Sequence, residues 1–300
     1  KNKYLYSYIS TKSINKFSKI NLDKTQTFEH LFFDKKKEIL NDIKNFTNID
    51  YYNKFSFKRK LGYLFCGPPG SGKTALVTAI TNELKRSLKS IPISLIDTNS
   101  EFEEAYNNTT FDGVNIQLDE IVITFDEIDS ALESQNLTKN LSNNNDKIDS
   151  SNDKKEQNSN KTIIINNKGE DNEESCLKLN KREDILNIGI ILSKIDGNEC
   201  QDGTVIIATC NDKSKLDPAL YRNGRLKLIE LNYAGSNEIK EMIEKYCEKT
   251  LSQSQIEKIR DDKIIQTLNV KHVIAKYLLE KNFDIDDNNV NEIIDNINKL

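Results

Sequence analysis

Residues 63–74 read YLFCGPPGSGKT, and the rest of the chain is read outward from them. A short apolar run meets Gly67-Pro68-Pro69-Gly70, and a helical pattern follows from Lys73. Residues 67–74 fit G-x-x-x-x-G-K-[ST] in the strand-loop-helix setting that a phosphate-binding loop requires. Backbone N–H groups must wrap a polyanion there, and glycines keep side chains out of its way. A helix beginning near Gly72 turns the positive end of its dipole to the same place. Gly67, Pro68, Pro69, Gly70, Ser71, Gly72, Lys73, Thr74 and Ala75 are therefore the expected nucleotide-binding residues. Lys73 suits the β- and γ-phosphates, and the Thr74 hydroxyl suits Mg²⁺. By accident the bare pattern arises in on the order of 1 in 100 chains of this length. This chain has only 11 Gly and 4 Pro, yet Gly67, Gly70, Gly72, Pro68 and Pro69 all fall here, which favours a real loop.

A second segment, IVITFDEID (121–129), is an apolar strand ending in acids. In an open parallel sheet, strand ends line the ligand crevice. Asp126 is expected to hold Mg²⁺ through water, and Glu127 to orient and deprotonate an attacking water. A third, TVIIATCN (204–211), ends in Asn211. Its amide is placed either against the attacking water or γ-phosphate, or simply in an ordinary turn; spacing alone serves both readings equally. No NKxD arrangement reads guanine, so the base is expected to be adenine, and ATP the nucleotide.

The strand-length runs YLFC, ISLID (93–97), IVITF, TVIIAT and KLIELN (227–232) alternate with helical patterns at 73–89 and 182–195. Such alternation predicts an α/β fold with a parallel sheet sandwiched by helices. YLYSYIS near the N-terminus alternates like a strand. Residues 34–46 read as a helix, with Asp34 as N-cap and Ile39, Leu40, Ile43 and Phe46 on one face. Residues 134–180 are rich in Asn, Ser, Lys, Asp and Glu without an apolar period, which predicts a low-complexity insert. After Tyr233, helices are expected at 238–249, 253–260, 271–281 and 290–300. The expected organisation is a lead-in at 1–60, a nucleotide-binding domain at 61–133 and 181–232, the insert, and a helical lid at 233–300.

The net charge of −4 gives no signal for nucleic-acid binding by bulk electrostatics. No apolar run reaches membrane-spanning length, so no membrane segment is expected within this sequence. Five scattered cysteines without a CxxC pair point to free thiols in a reducing intracellular compartment, the cytoplasm being the expectation.

Residues 216–225, LDPALYRNGR, place Arg222 and Arg225 around an Asn-Gly. On residues alone the bland reading is a pair of surface arginines capping the preceding helix. Together with GPPGSGKT, ITFDEID and IIATCN, in that order, this segment resembles the AAA ATPases, over about residues 27–133 and 181–250. Within that family the lead-in TFEHLFFDKKKEILNDIKNFTNIDYYNKFSFKRKLGYLFCGPPGSGKT and ILSKIDG (191–197) are most similar to the Bcs1-like branch. Several positions depart from the pattern: Asn223 for Pro, Leu226-Lys227 for Phe-Asp or Val-Asp, and Cys210 before Asn211. Asp126-Glu127 follows most of the family instead of the branch's Glu-Asp. Phe111-Asp112-Gly113 is a poor match to a pore loop and reads as a turn.

The resemblance implies a P-loop domain followed by a lid, a homo-oligomeric ring of six or seven subunits, and ATP hydrolysis with Mg²⁺. It further implies that Arg222 and Arg225 complete a neighbouring subunit's site. The work done would be remodelling of a macromolecular substrate, a protein being the expectation. An ATP-binding scaffold with little turnover and a nucleic-acid motor or loader are the alternatives.

Overall fold

Every residue of the strand ahead of the glycine-rich loop finds a neighbour. β3 (Lys60–Cys66) pairs in parallel with β8 (Thr204–Cys210) along its whole length and with β9 (Lys227–Glu230) at its C-terminal half. The computed structural model describes residues 3–10, 16–56, 58–129, 184–196, 200–260 and 265–300; the insert expected at 134–180 lies outside them. Seven strands form one sheet in the order β2-β1-β4-β7-β8-β3-β9, with β1 (Tyr4–Tyr8), β2 (Phe17–Asn21), β4 (Ser87–Pro92) and β7 (Ile121–Asp126) completing it. All neighbours run parallel except β1 and β2.

The apolar runs in β3, β7 and β8 follow from burial on both faces. Tyr63 and Phe65 face one layer while Leu64 and Cys66 face the other. The first layer is closed by α1 (Lys36–Thr47), which the short α2 (Ile49–Phe55) follows, and by α3 (Lys73–Glu83), through Ile39, Ile43, Phe46, Leu76 and Ile80. The second is closed by α4 (Asn99–Asn107) and α5 (Ile188–Asp196), through Phe102, Tyr106, Ile191 and Ile195. The sequence expectation of an α/β sheet between helices is therefore met.

Several boundaries differ from the sequence reading. Residues 73–89 are not one helix: α3 stops at Glu83, and Lys85 takes a left-handed backbone conformation (φ 55°). The strand falls at Ser87–Pro92, with Ile93–Leu95 a 3₁₀ turn, where ISLID was expected to be the strand. Lys89 disguised it. Its side chain is fully buried, the ammonium donating to the carbonyls of Tyr106 (2.8 Å) and Asn108 (2.7 Å) over the Phe17 and Phe111 rings. α1 begins after Lys35, and Asp34 is not its cap. α5 starts at Ile188, leaving Ile185 exposed. Phe111-Asp112-Gly113 does form a turn, with Asp112 and Gly113 left-handed between β5 (Thr110–Phe111) and β6 (Val114–Asn115).

Beyond residue 233 the chain is helical: α6 (Ser236–Cys247), the short α7 (Gln253–Ile256), α8 (Thr267–Glu280) and α9 (Asp287–Ile297). Met242, Ile243, Val270, Ile274, Ile293 and Ile297 form their own core, which Phe32 of the lead-in joins. Among the described residues no helix is long and apolar enough to cross a membrane.

Candidate active site

The strand order decides the site. β8 lies between β7 and β3, so the ends of three parallel strands open side by side into one crevice. A cavity of about 740 Å³ sits there. Its walls include Pro69, Gly70, Ser71, Gly72, Lys73, Thr74 and Ala75 from the loop, Asp126 and Glu127 from the end of β7, and Asn211 from the end of β8. A second cavity of about 790 Å³, between β2 and α4, contains none of these groups.

Gly67 and Pro68 lie behind the cavity wall, where their carbonyls accept from Lys73 Nζ at 2.6 and 3.1 Å. The same ammonium donates to Asn211 Oδ1 at 2.9 Å. Burial pulls the Lys73 pKa below its ordinary value, and the nearby acidic groups only partly oppose it. Gly67 is a glycine for a reason other than phosphate access. A Cβ there would lie 2.0 Å from the carbonyl oxygen of Leu231. Gly72 is different: it is left-handed (φ 92°), opens α3, and has free space where a Cβ would be.

The Asp126 carboxylate accepts from Ser90 Oγ (2.6 Å) and Thr124 Oγ1 (3.1 Å). That fixes its plane while leaving further lone pairs available. With the Thr74 hydroxyl on the same cavity it forms an all-oxygen donor pair, which fits a hard divalent cation such as Mg²⁺ completed by water and phosphate. Glu127 is exposed and left-handed (φ 48°), its N–H donating to Thr209 Oγ1 at 3.0 Å. That backbone turn ends the strand and presents the carboxylate to the crevice instead of the sheet face.

Arg222 and Arg225 are not among the cavity's walls. Arg222 is exposed. Arg225 is half-buried, donating through Nη1 to Ala219 O (2.6 Å), with Nε 3.5 Å from Asp196. Their segment leans on β3, where a Cβ on Gly62 would meet Arg225 O at 2.8 Å.

Sequence reading missed Gln26, Leu268 and Lys271, which line the cavity, and Gln266, whose amide rests against Gly70. Lys271 Nζ donates to His30 O (2.6 Å), and burial lowers its pKa. Nothing in the local pattern distinguishes Gln266, Leu268 and Lys271 from an ordinary helix start, or Gln26 from its polar lead-in. Thr209 and Asp129 stood inside the quoted motifs, one residue type being ordinary in a strand and the other in an acidic turn.

Comparison with known proteins agrees with this geometry. The family described as "ATPase family associated with various cellular activities (AAA)" matches residues 63–232, more than half of the chain. Three proteins of Arabidopsis thaliana are similar to it. AAA-ATPase At3g28610 is 30% identical over 93% of this chain and 54% of its own. AAA-ATPase At3g28600 is 29% identical over 89% and 50%. AAA-ATPase ASD, mitochondrial, is 31% identical over 78% and 42%. The chain thus spans about half the length of the curated relatives it matches. A phosphate loop, an acid-tipped strand and an asparagine-tipped strand meeting in one crevice, within the matched segment, make the chain a member of the AAA ATPase family.

Proposed function

We propose that this chain hydrolyses ATP with Mg²⁺, and that it does so in a ring whose subunits complete one another's sites to remodel a macromolecular substrate, a protein in our reading. The observation that carries the catalytic part is the convergence of Lys73, Asp126, Glu127 and Asn211 on one cavity. The triphosphate lies along residues 67–75, with loop N–H groups and the start of α3 facing its charge. Lys73 leaves the Gly67 and Pro68 carbonyls to bond the β- and γ-phosphates. Thr74 and Asp126 would hold the Mg²⁺, which neutralises phosphate charge. Glu127 takes a proton from water as its oxygen attacks the γ-phosphorus and the bond to the bridging oxygen breaks, giving ADP and phosphate. Asn211 orients that water or the γ-phosphate.

Arg222, exposed and outside the cavity, supports a shared site, and Arg225 would leave Ala219 O and Asp196 to reach a neighbour's phosphates. A finger of this kind is worth about 10³–10⁵ in rate, or roughly 4–7 kcal/mol of barrier. A helical lid at 233–300 and a nucleotide-binding domain on either side of an insert remain part of the same proposal.

The test compares native protein with Glu127→Gln and Lys73→Ala. Glu127→Gln should bind ATP within about threefold of native yet lose about 10²-fold or more in turnover. Lys73→Ala should lose both binding and turnover. Equal activity in all three proteins refutes the assignment.

A further inference from the structure

β7 and β8 carry the proposed base and the proposed sensor, and their ends are joined beyond the sheet ladder. The last ladder pair is Phe125 with Ala208. Past it, backbone N–H groups need other acceptors. Thr209 Oγ1 takes the Glu127 N–H at 3.0 Å. Asp129 Oδ2 takes two, from Asn211 at 2.9 Å and from Asp212 at 3.0 Å. Asp129 is only 4% exposed, and among the described residues its second oxygen, Oδ1, is buried without a hydrogen-bond partner. Keeping a buried carboxylate half-satisfied is costly, and a neutral turn residue would avoid the cost. What the carboxylate secures is the backbone at 211–212, just past the end of β8, where Asn211 lines the crevice.

The side chain of Asn211 needs such a support. Among the described residues its amide oxygen has one partner, Lys73 Nζ. A γ-phosphate competes for that ammonium, and the amide then depends on its own backbone for its aim.

We propose that Asp129 is a positioning residue for hydrolysis: by bridging from the turn after β7 to the end of β8, it fixes Asn211 beside Glu127 once Lys73 has turned to the phosphates. The inference rests on the ATPase reading above. It makes the β7 turn and the β8 end one rigid unit, with Thr209 binding it from the other strand.

Four variants of the full chain test it: Asp129→Ala, Asp129→Asn, Asn211→Ala, and the double Asp129→Ala/Asn211→Ala. Asp129→Ala should lower kcat about tenfold or more with KM and ATP affinity kept within about threefold. The double variant should be within about twofold of Asn211→Ala alone, since the two residues act as one. Asp129→Asn should recover most of the rate, its carbonyl accepting both N–H groups. Independently of turnover, amide hydrogen exchange at 211–212 should be about tenfold faster in Asp129→Ala. Additive losses in the double variant, loss of ATP affinity alongside turnover, or unchanged exchange each overturn the inference. A native protein that binds ATP without hydrolysing it refutes the hydrolase reading, and the exchange comparison still decides the bridge. Should Asp129→Ala fail to fold, Asp129→Glu replaces it. Its longer arm displaces the acceptor, so native turnover and exchange in that variant would overturn the proposal.

Discussion

Gly67→Ala is the sharpest perturbation of the phosphate loop, because its effect follows from geometry and not from nucleotide chemistry. The new Cβ would lie 2.0 Å from Leu231 O and 3.0 Å from the Leu231 carbonyl carbon, both backbone atoms that cannot rotate aside. Relief requires the chain after β9 to retreat by about 1.3 Å or more, since carbon and oxygen pack at about 3.3 Å or more. The hydrogen bond from Leu231 N to Cys66 O, 2.7 Å, sits at the same junction and opens with it. Losing that bond costs about 1 kcal/mol. Forced overpacking adds about 1–3 kcal/mol. The sum, about 2–4 kcal/mol, lowers the urea midpoint by roughly 1 M at a slope of about 3 kcal/mol per M. Gly72→Ala is the control. It meets no atom within 4 Å but must adopt φ 92°, at about 1–2 kcal/mol. Circular dichroism against urea ranks the two. A Gly67→Ala midpoint at or above that of Gly72→Ala refutes the close-approach argument.

Other outcomes follow from the same geometry. Mixing Arg225→Ala with Lys73→Ala subunits should restore part of the ATPase rate, as each supplies what the other lacks; no rescue at any ratio leaves Arg225 as the local cap it makes on Ala219 O. Ser90→Ala removes the 2.6 Å bond that orients Asp126, and should raise the half-saturating Mg²⁺ concentration about threefold or more; an unchanged Mg²⁺ titration counts against that carboxylate's role. Burial holds Lys89 down to about 7. The unfolded chain therefore binds more protons than the folded one from about pH 7 to 10, and stability rises across that window by at most about 1.4 kcal/mol per pH unit. Below it both states are protonated and this contribution is flat. Urea midpoints of Lys89→Met should lack that rise, and a native-like pH slope in the variant would contradict it.

Much of the loop and strand framework was legible along the chain because it depends on local backbone needs. A phosphate loop requires glycines, a lysine and a hydroxyl at set spacing, and the spacing survives whatever surrounds it. Alternation of apolar runs with helical patterns likewise pointed to a sheet between helices. The strand at Ser87–Pro92 was hidden because its central Lys89 is polar, and the carbonyls ending α4 with two aromatic rings make its burial tolerable. Arg225 was legible as a motif member, but not its hold on Ala219 and Asp196.

By itself, then, the sequence determined where the glycine-rich loop lies between a strand and a helix, which acids end a strand, and that a mostly parallel sheet lies between helices, since each follows from short-range spacing. Tertiary structure alone decided that β8 enters between β7 and β3, that Leu231 forbids a side chain at Gly67, and that Asp129 and Thr209 lock Glu127 to Asn211. The reason is physical: those partners lie about 80 or more residues apart in the chain, and no local propensity records which strand will be packed beside which.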